Sequence, residues 1–170
     1  MKTLKTLFTI LICISYSIAN AQTEETKEKQ NPFAFLEIRD ARRNGDDVTN
    51  QALKEKAALI LYQMTKTNSI MLANYWEKSN SQSFGPIFSI AKSENPDKKE
   101  ENKSEVYTFY WSYYNTYDQK KGTAEVKLLV VYKPQGTYFE ITVIPENLDE
   151  LIYKGQMKGN LAILDWNSNK

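Results

Sequence analysis

The sequence predicts an α+β domain, with one or two N-terminal helices packed on a four- to five-stranded antiparallel β-meander. Three observations predict it. Apolar residues between Leu53 and Tyr75 recur at helical spacing, and residues from Val106 to Lys158 alternate with period two. Short turn-forming links separate the alternating runs, as hairpins require.

The N-terminus has the pattern of an export signal. Lys2 and Lys5 form a positive start, Leu7 to Ile18 is mostly apolar, and Ala19-Asn20-Ala21 places small residues where a signal peptidase reads. Residues 1–21 are therefore expected to be removed by cleavage before Gln22, leaving a periplasmic or secreted chain. The apolar run is well short of the roughly 20 residues that cross a bilayer, and no longer run follows, so no membrane span is expected. Residues 22–31 are highly charged at first and read as a disordered tether. Residues 32–170 are expected to form a single domain.

Asn31-Pro32 resembles a helix start, and Asn44-Gly45 a left-handed stop, which together suggest a short helix from Pro32 to Arg43. The crowding of Phe33, Ala34, Phe35, Leu36 and Ile38 fits a strand almost as well. Asp46, Asp47 and Thr49 then offer negative charge and a cap to a second helix. Its stripe comprises Leu53, Ala57, Ile60, Met64, Met71 and Tyr75, and Thr65 to Ser69 marks a kink or break. Phe84 to Lys92 fits either a short helix or an edge strand because Gly85-Pro86 opens it. Ser93 to Glu105 is almost all charge and reads as a solvated loop.

Four strands follow. Tyr107, Phe109, Trp111, Tyr113 and Tyr117 fall on one side of the first. Ala124, Val126, Leu128, Val130 and Tyr132 do so on the second. Phe139, Ile141 and Val143 mark the third, and Leu151, Tyr153 and Met157 the fourth. Lys133-Pro134-Gln135-Gly136 is a turn between the second and third. This helix-then-meander order is similar to cystatin-like and nuclear-transport-factor-like domains in layout alone.

The chain has 22 basic and 21 acidic side chains, no histidine and one cysteine, Cys13, which lies inside the signal. The near balance excludes the basic footprint of a nucleic-acid binder. After cleavage there is no thiol nucleophile, imidazole base or Cys/His zinc site. No phosphate-binding, dinucleotide or calcium-loop motif is present, so neither cofactor nor metal is expected. A carboxylate-dependent glycoside hydrolase is the enzyme class that survives, with Asp46, Asp47, Glu146, Asp149 and Glu150 as candidate acids.

The outer side of the meander is the main functional signal. Tyr110, Tyr114, Leu129, Val131, Tyr138 and Ile144 would share that side with Glu125, Lys127, Glu140 and Thr142, which is too apolar for an ordinary solvated sheet. Three occupants compete: the chain's own Phe33–Ile38 or Phe84–Ala91 segment, a protein partner or second copy, and a glycan. The function expected is a non-catalytic exported binding protein of a bacterial envelope. A protein partner or self-association is favoured over a glycan. The alternative is an inhibitor or immunity-type protein acting through the same face or through Ser93 to Glu105.

Overall fold

The computed structural model describes residues 28–94, 103–146 and 148–168. The expected signal peptide and residues 22–27 of the tether lie outside the described residues, as does most of the charged loop, residues 95–102. The last part of the tether is joined to the fold: Glu28 Oε1 accepts from the Lys66 and Thr67 amides, and Gln30 opens the first strand.

The described residues form nine strands: β1 (Gln30–Arg43), β2 (Asp46–Asp47), β3 (Ala57–Met64), β4 (Ile70–Trp76), β5 (Ser81–Glu94), β6 (Ser104–Asn115), β7 (Lys120–Lys133), β8 (Gly136–Pro145) and β9 (Leu151–Gly159). Helix α1 (Thr49–Lys54) separates β2 from β3, and α2 (Ala162–Ser168) follows β9. Every strand after β2 pairs antiparallel with the next, and β1 pairs with both β3 and β9. The result is a closed eight-stranded up-and-down barrel, with two-residue β2 appended to β1. Closure leaves no long strand edge to be capped.

This overturns the expected α+β fold. The anticipated helix over residues 32–43 is β1. Its inward residues are Ala34, Leu36, Ile38 and Ala41, and the register shifts between Ile38 and Asp40 against β9. One bulge turns a spacing of two into three, and the pattern then mimics a helix. Asn44-Gly45 is a two-residue hairpin turn with positive φ at both positions, not a helix stop.

The expected long helix is mostly the β3–β4 hairpin. α1 covers only six residues, and Thr49 secures it, its hydroxyl accepting from the Ala41 amide at 3.0 Å. Ala57, Leu59 and Leu61 face the barrel interior, yet Ala58, Ile60 and Tyr62 are buried as well. Ile60, Tyr62 and Ala73 form a second apolar cluster outside the wall with Phe35, Met64, Met71 and Phe84. Burial there pushes the Tyr62 hydroxyl up to about 12. A strand buried on both faces reads as a continuous apolar run, in which helical spacings occur by default. The supposed kink at Thr65–Ser69 is the hairpin loop, with Asn68 left-handed. Phe84–Lys92 lies within β5, an interior member of the closed ring.

The four C-terminal strands match their expected phases. Tyr107, Phe109, Trp111, Val126, Leu128, Val130, Ile141 and Tyr153 all point inward and are buried. Tyr117 departs from that set and stands exposed in the β6–β7 turn.

The two ends of the barrel are built differently. At one end lie α1 and the β4–β5, β6–β7 and β8–β9 connections. At the other, Leu161, just before α2, and Leu164 within it enter the core. No helix among the described residues is long and apolar enough to cross a membrane.

Candidate functional site

The α1 end opens into a cleft of about 220 Å³. Its wall includes Arg43 from β1, Asn74 from β4, Ser83 from β5, and Trp111, Tyr113 and Asn115 from β6. Val143, Pro145 and Leu151 supply the apolar part, with Leu148 and Asp149 from the β8–β9 connection at the rim. Inward alternation explains the convergence. Asn74 pairs with Ser83, and Ser83 with Asn115, so three polar side chains cross the wall in one row.

Two atoms in this wall are buried without a hydrogen-bond partner: Trp111 Nε1 and Asn74 Oδ1. Trp111 is 3% exposed and Asn74 8%. An unmet donor or acceptor in such a place costs roughly 1–3 kcal/mol. The opposite end of the Asn74 amide is satisfied, its Nδ2 donating to the Tyr153 hydroxyl at 3.2 Å. Burial raises the Tyr153 hydroxyl above its ordinary range, while Asn74 and the nearby Arg43 charge act against that rise. Tyr113 is raised too, first by burial and then by the negative fields of Asp118 and Glu146.

Tyr113 owes its place to a missing side chain opposite. It pairs across the sheet with Gly122, and a Cβ there would meet the tyrosine hydroxyl at 2.6 Å. The ring therefore lies over the glycine and beside Trp111, at a centroid distance of 4.9 Å.

The α2 end contains a connected polar cluster. Glu105, 7% exposed, accepts hydrogen bonds from Tyr132 (2.8 Å) and Tyr107 (3.2 Å). Lys92 and Lys103 reach the same carboxylate at 3.0 and 2.9 Å. Asp165 of α2 accepts from Tyr107 (2.6 Å) and Lys92 (2.8 Å). Burial alone would raise the Glu105 carboxyl, but hydrogen bonds from Lys103, Tyr132 and Lys92 win and lower it to about 2. Burial and the two carboxylates hold the Tyr107 hydroxyl far above its ordinary range. Each member has its partners, so the cluster clasps α2 to the barrel.

The six outer residues expected to bind all lie on the outside of β6, β7 and β8, but in two groups. Tyr110 pairs with Glu125, and Glu125 with Ile144, toward the α1 end; Tyr114 lies two pleat repeats beyond, past the Ser112–Thr123 pair. Leu129 faces Glu140, and Val131 faces Tyr138, toward the α2 end. The polar row Thr108–Lys127–Thr142 divides the groups. β5 adds what sequence reasoning missed: Phe88 stacks on Tyr110 at 5.8 Å, and Phe84 meets Tyr114 edge-on at 6.1 Å. Phe88, Tyr110 and Ile144 are 45%, 47% and 48% exposed. Tyr138 instead lies under Lys133, whose Nζ is 5.6 Å from its ring centre. Phe33–Ile38 and Phe84–Ala91 are themselves parts of the wall, in β1 and β5, so neither folds back as a lid over this surface.

The candidate acids gather at the α1 end without forming a site. Asp46, Asp47, Glu146 and Asp149 are exposed, and of the five only Asp149 lines the cleft. Hydrogen bonds from Thr49 hold the Asp47 carboxyl below its ordinary value, opposite to what a general acid needs. Among the described residues no cluster of acidic side chains has the arrangement of a metal site.

Asn74 and Arg43 were missed because both fell in segments read as helices. Glu105 had a visible signal: it shares the inward phase of Tyr107, Phe109 and Trp111. Comparison with family models, curated proteins and solved structures finds no match to this chain.

Proposed function

We infer that this protein is a non-catalytic binding protein whose barrel takes a small molecule through the cleft at the α1 end. The cleft itself carries this reading: an opening between strand ends with Arg43, Asn74, Ser83, Trp111 and Tyr113 in its wall, two of which, Trp111 and Asn74, each keep a buried polar atom without a partner. Barrels of eight strands either fill with side chains or leave room for one small ligand. Here the α2 end is filled and the α1 end is not. At about 220 Å³ the cleft is below the roughly 300–1,000 Å³ of drug-sized sites, so the ligand is fragment-sized.

The test uses the indole N–H resonance of Trp111 in ¹⁵N-labelled protein, assigned with Trp111→Phe. Fragment-sized compounds should move it saturably, and Ser83→Phe, which fills the cleft, should abolish the shift. Binders that leave the Trp111 resonance still and survive Ser83→Phe would place recognition elsewhere.

A second reading rests on the Phe88–Tyr110 stack beside Ile144, an exposed apolar patch suited to a protein partner or second copy. It predicts a larger species in sizing chromatography that disappears in Tyr110→Ser/Tyr114→Ser. A monomer at all concentrations, with no captured partner, counts against it. Export with cleavage before Gln22 belongs to the same proposal, supported by the Lys2 to Ala21 pattern. The intact mass of the protein purified from its source cells decides it.

A further inference from the structure

We propose that the cleft at the α1 end takes a small monocarboxylate with a compact aliphatic body, and that Arg43 holds its carboxylate group. The inference rests on the reading of this cleft as a ligand site, and it names the ligand's chemistry and the residue that recognises it.

The register fixes where Arg43 stands. It follows Ala41 by two residues on β1, so both share one face of the strand. Arg42, between them, takes the opposite face and approaches Asp40. Ala41 pairs with Tyr153, and Arg43 with Leu151, which pairs in turn with Val143. Ala41, Tyr153 and Val143 are buried inside the barrel, so the row Arg43–Leu151–Val143 lies on the inner side of the wall. All three members of that row line the cleft, and Arg43 is exposed at its mouth. Burial raises the Tyr153 hydroxyl, and the Arg43 charge, felt at that depth, acts against the rise. Among the described residues the Arg43 side chain has neither a hydrogen bond nor an ion pair.

That row sets the order of the ligand's parts. A guanidinium presents parallel N–H groups that match the two oxygens of a carboxylate, and such paired, charge-assisted bonds are strong. Adjacent strands are about 4.8 Å apart, so aliphatic surface from Leu151 and then Val143 begins immediately beside the carboxylate position. A carboxylate head with an aliphatic body fits this sequence of surfaces. A second charge on the body would be stripped of water against two aliphatic side chains, which excludes dianions. The size of the cleft, about 220 Å³, keeps the body short. Asp149 at the rim, and Asp118 and Glu146, whose fields reach Tyr113, are exposed on connections. Solvent and salt screen them, whereas Arg43 acts in contact.

The probes are cyclohexanecarboxylate, cyclohexanecarboxamide and cyclohexane-1,4-dicarboxylate. Each is titrated into the full-length protein while the Leu151 methyl and Trp111 indole resonances are followed. Cyclohexanecarboxylate should move both resonances saturably. The carboxamide, of the same shape without the charge, and the dicarboxylate should each bind at least about fivefold more weakly. Arg43→Gln should remove the advantage of the carboxylate over the carboxamide while carboxamide binding persists, which also shows that the variant is folded. The wild-type comparison stands without any variant. A smaller advantage over either competitor, or one that survives Arg43→Gln, overturns the carboxylate assignment and leaves the cleft as a ligand site. No movement of either resonance with any of the three overturns both.

Discussion

The two ends of the barrel hold similar polar side chains in opposite states. At the α2 end, a buried carboxylate is met by two tyrosine hydroxyls and two lysines, and α2 lies across the opening. At the α1 end, an indole N–H and an amide oxygen lie buried without partners in the wall of an open cleft. A satisfied network rigidifies; an unsatisfied one destabilises the empty protein and is relieved only by something that enters. Buried polarity in the same wall is satisfied at one end and left unmet at the other.

Removing the anchor of the satisfied end should have the largest effect. Glu105→Ala leaves the Tyr132 hydroxyl without its acceptor and takes one of two carboxylates from Tyr107 and Lys92, which keep Asp165, and urea unfolding should show a loss of about 2 kcal/mol. A loss under about 1 kcal/mol would mean that the clasp is incidental to the barrel. Acid comes next. Glu105 has a folded pKa of about 2 against an ordinary 4.5. Its folded-state value is depressed, so its stabilisation is complete above about 4.5 and disappears as the pH falls toward 2. Thermal melts across that window should be steeper for wild type than for Glu105→Gln; parallel curves would remove Glu105 from the acid response.

The smallest change should come at the unsatisfied end. Trp111→Phe keeps a ring and deletes the unmet donor, so stability should change by less than about 1 kcal/mol, in either direction. A loss near 3 kcal/mol would show that the indole N–H has a partner in the empty protein, and the contrast between the ends would collapse.

Legibility followed burial. From Val106 to Met157 the strands have a solvated side, so period two shows directly in Val126, Leu128 and Val130 against Glu125 and Lys127. From Gln30 to Trp76 it does not. β3 is buried on both faces, and its run Ala57 to Tyr62 carries no alternation from which a face can be chosen. In β1 the bulge between Ile38 and Asp40 breaks the phase. The outer aromatics of β6 were placed on the correct side, but their stacking partners Phe84 and Phe88 lay in a segment whose conformation was ambiguous. Asn74 was hidden more deeply, because its meaning depends on the strand two places away.

Local chemistry alone determined the near-neutral charge, the absence of histidine, and the inward set of the C-terminal strands, since each is a property of neighbouring residues along the chain. Tertiary structure decided that β1 would join β9, closing a meander into a ring and creating two ends. It also decided which polar atoms met there. Hydrogen bonds between distant strands depend on ring closure and register, and a one-residue bulge alters both without leaving an unambiguous trace in composition.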